Sequence, residues 1–139
     1  PRDLERLRAD VIEMRLRMRE GHGNPGERFD LKHDPGGMVD IEFAVQFLVL
    51  ANACTHPALT RNAGNIALLH LAGDLGLAPP DLARAVADAY RDYRKQQHAL
   101  RLAGARHARI DPERFAVQRD AVFGLWRHVF GTDWQVAGA

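Results

Sequence analysis

The sequence has a single cysteine, Cys54, among its 139 residues. A lone cysteine excludes an internal disulfide, cannot build a structural zinc site, and points to a reducing compartment, read here as the cytoplasm. An excess of one charge sign is also missing. With 19 Lys/Arg against 18 Asp/Glu the net charge is +1, which gives no global nucleic-acid signature. The most apolar stretch, Met38 to Cys54, is interrupted by Asp40, Glu42, Gln46 and Asn52. It falls short of the ~20 residues a bilayer span needs, and no signal peptide is visible. Neither nucleic acid nor membrane is therefore expected as a partner. Alternating strand patterns, internal repeats and low-complexity tracts are absent as well. The seven histidines (His22, His33, His56, His70, His98, His107 and His128) lack the spacing of a zinc helix. His98 and His107 lie nine apart on an expected helix, on similar faces but more than two turns distant. Hydrogen-bonding or surface roles are expected for the histidines, and no metal. There is no Walker pattern, no nucleophile elbow and no Ser-His-Asp set.

What is present is helical periodicity in a chain that is 46% hydrophobic and 27% charged, the balance of one globular domain over residues 1–139. Leu4, Leu7, Val11, Met14 and Met18 form a stripe that predicts a first helix over residues 1–20. Arginines and acids fill its other faces, with Glu5/Arg6 and Glu13/Arg17 as weak surface pairs. Gly21-His22-Gly23-Asn24-Pro25-Gly26 ends the helix and opens a mobile loop and extended arm over 21–36. The bundle core is expected over 37–131. Its central helix runs from about Gly37 to Cys54 and is stopped by His56-Pro57. A third helix covers about Asn62 to Leu75, with Gly76 as its cap. Pro79-Pro80-Asp81 opens a fourth, reaching about Leu102, with a seam of Leu82, Val86, Ala89, Tyr90, Tyr93 and Leu100. Asp111-Pro112-Glu113 opens the last, with Phe115, Val122, Trp126 and Val129 inward and Gly131 at its end; residues 132–139 are a tail. The fold class is all-α: an antiparallel bundle of about five helices with short connections. The chain starts at Pro1, without methionine and inside charged helical sequence, so a piece of a longer protein is expected.

The candidate site lies where the arm turns into the central helix. Pro35-Gly36-Gly37 makes the turn, and Asp40, Glu42 and Gln46 follow in a helix otherwise apolar around its circumference. Glu42 and Gln46, four apart, share a face, whereas Asp40 lies about 200° from Glu42 at ~100° per residue. Two readings stand side by side. In the structural one, Asp40 caps the first turn, and Glu42 and Gln46 tie helices together through Lys32, Arg61 or an arginine of the fourth helix. In the functional one, the Gly-Gly turn with Asp40 or Glu42 faces a neighbouring domain and helps position nucleotide, metal or a target loop. A phosphate at the Gly36-Gly37 helix start is opposed by Asp34 and Asp40, so a hinge or close-packing role is favoured there.

Phe29-Asp30-Leu31-Lys32, Gly36-Gly37, Asp40-Ile41-Glu42-Phe43 and Gln46 together resemble the signature of the bacterial glutamine synthetase adenylyltransferase/adenylyl-removing enzymes. They resemble in particular the helical domain that follows a nucleotidyltransferase domain. His56-Pro57-Ala58-Leu59, Asn65-Ile66-Ala67-Leu68-Leu69, Ala89-Tyr90, Tyr93-Arg94, His98, Leu100-Arg101-Leu102 and Val122 to Gly131 extend the likeness from about Arg28 to Gly131. Of the family's two halves, the C-terminal, adenylylating one is closer, and the ending without a further domain agrees. The resemblance implies a parent enzyme that uses ATP and magnesium to attach AMP to a tyrosine of glutamine synthetase. Its other half removes the AMP, and glutamine and the PII protein choose the direction. In such enzymes the metal carboxylates sit on a Gly-Ser loop and an Asp-x-Asp pair. This sequence has neither, so the chain is expected to be inactive alone and to hold no cofactor itself.

From Arg84 to Arg119 nine Lys/Arg stand against four acids, a local excess of +5. A solvated face is the default reading. The alternative is a docking surface, with Arg91, Arg94 and Arg101, for an acidic partner such as glutamine synthetase or PII, or for nucleotide phosphates. Two hypotheses result. One is an accessory helical domain whose Lys32, Gly36, Gly37, Asp40, Glu42 and Gln46 face the catalytic domain. The other is an interaction module that docks through the fourth helix.

Overall fold

A computed structural model of the chain describes residues 3–21, 26, 28–61 and 63–132. Five α-helices make up most of it: α1 Asp3–Gly21, α2 Met38–Asn52, α3 Asn65–Asp74, α4 Pro80–Leu102 and α5 Ala116–Phe130. Single 3-10 turns at Pro57–Thr60 and Pro112–Phe115 precede α3 and α5. The protein is all-α apart from two two-residue strands, β1 (Phe29–Asp30) and β2 (Arg109–Ile110). These pair antiparallel, Phe29 with Ile110 and Asp30 with Arg109, and clip the arm before α2 to the connection between α4 and α5. The amide of Leu31 extends the clip by donating to the Ala108 carbonyl at 2.9 Å.

The apolar circumference of α2 is matched by its position, for it touches all four other helices. Ile41, Ala44, Val45, Phe47 and Leu48 are buried along it. Opposed contacts set the directions of its neighbours. Arg15 meets Asp40 and Arg8 lies over Phe47, so α1 runs antiparallel to α2. Asn65 reaches Tyr90 while Gly73 abuts Ala83, so α3 and α4 are antiparallel. Asp92 meets Gln118 while Leu82 abuts Gly124, so α4 and α5 are too. The few aromatics concentrate in the core as two groups of three. Tyr93 stacks on Phe29 and edge-on to Phe115 at 5.9 and 5.4 Å, and Phe130 packs on Phe47 and Trp126 at 5.3 and 4.2 Å.

Several local expectations are corrected. On α1, Met14 is 60% exposed, and Arg15 is buried in its stead. Leu4, Leu7 and Val11 face inward as expected, but Ile12 and Leu16 take the place of Met14 and Met18 in the second half of the helix. Glu5 pairs with Arg8 rather than Arg6, because neighbours in sequence do not face each other on a helix, whereas the Glu13–Arg17 pair forms. The extended arm is only Phe29–Asp30; its remainder curls into a turn closed by the Asp34 amide on the Asp30 carbonyl. α2 stops at Asn52, ahead of His56-Pro57, and α3 starts at Asn65 rather than Asn62. His107 lies in the loop after α4, not on a helix with His98. His22 to Pro25, the centre of the expected mobile loop, lie outside the described residues, as do Asn62 and the tail from residue 133. No helix among the described residues is long and apolar enough to cross a membrane.

Candidate functional site

The turn from Asp30 to Gly37 is built by carboxylates binding backbone. Asp30 Oδ1 accepts the amides of Lys32 and His33 at 3.0 and 3.1 Å, an Asx turn, while its Oδ2 lies 3.3 Å from His33 Nδ1. Asp34 answers by accepting the Asp30 amide at 2.9 Å. Gly36 adopts a φ of +86°, and a Cβ there would press on Phe123 and Arg119. At Gly37 an added Cβ would sit 2.5 Å from the Leu31 carbonyl oxygen, so close packing forces this glycine even without an unusual backbone angle. Both glycines therefore serve close packing, as favoured from the sequence.

The free amides that usually make a helix start an anion site are consumed internally. The Gly36 amide donates to Asp40 Oδ2 at 2.7 Å. The amides of Gly37, Met38 and Val39 donate to the carbonyls of Asp34, Leu31 and Lys32 at 2.9, 2.8 and 3.0 Å. The amides from Gly36 to Val39 are thus already engaged and do not await a phosphate. Around it, Tyr93 Oη donates to the Gly36 carbonyl at 2.8 Å, and Arg119 donates to the Pro35 carbonyl at 3.0 Å. Beneath it, Arg15 Nε donates to Asp40 Oδ1 at 2.5 Å and Arg15 Nη2 to the His33 carbonyl at 2.6 Å. Both side chains of this ion pair are fully buried. Asp40 caps the turn, as the structural reading has it, and is also the counter-ion of Arg15.

The six arm-and-helix candidates are not one surface. Gly36, Gly37 and Asp40 are buried, Glu42 is half-buried, and Lys32 and Gln46 are exposed. Glu42 points away from Asp40, and its Oε2 accepts Tyr90 Oη at 3.0 Å, with Asn65 Nδ2 donating to that same phenol at 3.2 Å. Glu42 is thus tied to α4 through a tyrosine rather than through the expected Lys32, Arg61 or arginine. Burial, reinforced by the Glu42 carboxylate, raises the Tyr90 phenol above its usual value. Tyr93 is pushed up further, mainly by burial. The three docking candidates do come together: Arg91, Arg94 and Arg101 line one groove of about 390 Å³ along α4, with Lys95, His98 and Ile66. Arg91 is paired there with Asp88 at 3.0 Å. Among the described residues no three His, Cys, Asp or Glu side chains cluster to hold a metal ion.

Two site residues escaped the sequence reading. By composition Arg15 belongs among the solvent-facing arginines, yet it sits one helical turn beyond Val11 on the inner stripe. An acid in the all-apolar α2 is the signal that a buried cation must exist somewhere. Tyr90 was assigned to the core without its hydroxyl partner, although a phenol at a helix junction needs one.

A family model described as GlnD PII-uridylyltransferase matches residues 5–114. The chain is 55% identical over 131 residues to the bifunctional glutamine synthetase adenylyltransferase/adenylyl-removing enzyme of Burkholderia mallei, covering 94% of the chain. It is 53% identical over 129 residues to the enzyme of the same name from Bordetella bronchiseptica, covering 93%, and 46% identical over 146 to that of Nitrosomonas europaea, covering 95%. The chain spans 14% of the length of the first two relatives and 16% of the third.

Two predictions follow from this geometry. Asp40→Ala leaves a buried guanidinium without its carboxylate and should cost about 3–5 kcal/mol in urea unfolding. Arg15→Met/Asp40→Leu should cost less than either single change, because no charge is then stranded; additive losses would contradict this. The second concerns Tyr90 and Tyr93, the two tyrosines of the chain. Their phenols ionise from the ordinary 10.0 when unfolded but higher when folded. Stability from this source is therefore complete below pH 10.0 and declines as pH rises beyond it. Phenolate absorbance should rise at a higher pH in the folded chain than in the urea-unfolded chain; coincident titrations would oppose the burial argument.

Proposed function

Since the chain belongs to the GlnD PII-uridylyltransferase family, we propose that it is a non-catalytic helical domain seated beside a nucleotidyltransferase domain. The parent would be a bifunctional glutamine synthetase adenylyltransferase/adenylyl-removing enzyme, which moves AMP from ATP to a tyrosine of glutamine synthetase and takes it off again. The observation that carries this reading is the extent of likeness: nearly the whole chain aligns with a small part of enzymes so named. The position within the parent that we favour is its C-terminal, adenylylating half. ATP and magnesium belong to the parent's chemistry. Among the described residues no three His, Cys, Asp or Glu side chains cluster to hold the metal, and the amides of Gly36, Gly37, Met38 and Val39 are already bonded within the chain. The family description names a uridylyltransferase and the relatives adenylyltransferases. A helical fold common to both suits the shared part of the reaction, nucleotidyl transfer, rather than selection of the base. The compartment implied is the cytoplasm, where the exposed Cys54 stays a free thiol.

In this reading Lys32, from the turn, and the Glu42–Gln46 face of α2 are both turned toward the catalytic domain. Gly36, Gly37 and Asp40 act from beneath, by fixing where α2 begins. In an intact enzyme carrying this domain, Glu42→Ala/Gln46→Ala should lower kcat/KM for AMP transfer roughly tenfold to a hundredfold through misplacement. Loss of the hydrogen bond from Tyr90 should cost the domain about 1 kcal/mol, too little to unfold it. Transfer of AMP by the isolated chain, or an indifferent double variant, would count against the proposal.

A second reading has one observation in its favour. Arg91, Arg94 and Arg101 share a groove whose lining contains no carboxylate. That suits docking of an acidic surface of glutamine synthetase or PII. Arg94→Glu/Arg101→Glu should then weaken that binding in a salt-dependent manner, and binding unaffected by the reversal would dismiss it.

A further inference from the structure

A second basic recess, of about 200 Å³, lies where the turn after β1 meets the end of α4 and the loop beyond it. Lys32 and His33 reach it from the turn, Gln97 and Arg101 from α4, and Arg106 and His107 from the loop. Lys32, Arg101 and Arg106 have exposed side chains and no carboxylate partner among the described residues. Earlier on the same helix the pattern is different: Arg84 pairs with Asp81 and Arg91 with Asp88. The one carboxylate of the lining, Asp30, is almost fully buried, with its oxygens engaged by the amides of Lys32 and His33 and by the His33 ring. It neutralises the turn rather than the rim.

The negative end of the α4 dipole accounts for Arg101 but not for Lys32 or Arg106, which lie off the helix. Nor do the last carbonyls of α4 call for cations, since the amides of Ala103, Gly104 and Ala105 close on those of Ala99, Arg101 and Leu100. Three like charges from three backbone segments around one hollow repel each other unless an anion joins them. Guanidinium forks fit phosphate oxygens, and a hollow below the roughly 300 Å³ of ordinary small-molecule sites suits phosphoryl groups better than a whole nucleoside. Gln97 and Arg101 also line the larger groove along α4, where Ile66 offers apolar surface to whatever the phosphates carry.

We propose that this recess is an oligophosphate site, which takes the phosphate chain of a nucleotide or free pyrophosphate without a metal ion. The site is a property of this chain alone. It stands or falls separately from the seating beside a catalytic domain, because it is read on the isolated chain and not by AMP transfer.

The test is calorimetric titration of the 139-residue chain with tripolyphosphate, with ATP, and with a tetraglutamate peptide, each in the presence of a chelator. Saturable binding of tripolyphosphate or ATP is expected. It should weaken about tenfold for each cation lost in Lys32→Ala, Arg106→Ala and the double variant, and be unchanged in Arg84→Ala. All three positions are exposed, and circular dichroism of each variant confirms the fold. ATP binding well above tripolyphosphate would assign the site to a nucleotide; equal binding would assign it to the phosphate chain alone. No saturable binding overturns the proposal. Equal loss in Arg84→Ala, or tetraglutamate binding as tightly as tripolyphosphate, also overturns it, by showing a nonselective basic face.

Discussion

The buried pair between Arg15 and Asp40 is the interaction on which the rest of the structure depends. Both side chains are withdrawn from water, which is costly unless each polar group finds a partner. They find partners in three segments at once. Arg15 holds α1, Asp40 holds α2, and further bonds run to the His33 carbonyl and the Gly36 amide in the turn between them. Hydrophobic contact alone would let α1 rotate or slide along α2. A buried ion pair with directional bonds sets one register, at the expense of stability that an apolar pair could have supplied. The phase of α1, with Met14 outward, is a consequence of that choice.

The same constraint explains why the Gly36-Gly37 turn is rigid rather than hinged. Its amides and carbonyls are committed to Asp40, Asp34, Arg119 and Tyr93; side chains crowd Gly36 and backbone carbonyls crowd Gly37. A motif that looks like a phosphate loop by composition has become a packing device. The surface chemistry lies elsewhere, on Lys32, on the Glu42–Gln46 face and on the unpaired cations toward the end of α4. Glu42 stands between these regions, since its partner Tyr90 is carried by the helix that carries Arg91 and Arg94.

Much of this was readable before the structure. The all-round apolarity of Met38–Asn52 marks it as central, and prolines near Pro80 and Pro112 mark where helical segments open. The opposite orientations of Asp40 and Glu42 also follow from spacing, whereas the sequence leaves the Gly36-Gly37 turn open between a hinge and close packing. The pairing of Phe29–Asp30 with Arg109–Ile110 was not readable, because two-residue strands carry no periodicity and their partner lies some eighty residues away. The phase of α1 was hidden as well. Met14 and Arg15 are adjacent, the apolar one wins by composition, and only the buried acid on another helix reverses the choice. The cation cluster at the α4 end needs the chain to be folded, since Lys32 and Arg106 meet only through the β1–β2 clip.

The central claim is that Lys32 and the Glu42–Gln46 face are both covered by another domain in the parent enzyme. Covalent labelling of amines and carboxylates, read by mass spectrometry, tests this most directly by comparing the isolated chain with the same residues in an intact enzyme. Lys32 and Glu42 should lose reactivity in the intact enzyme while Asp81, fully exposed on the opposite end of α4, keeps it. Equal labelling of Lys32 and Glu42 in both would contradict the account and leave this face open to solvent.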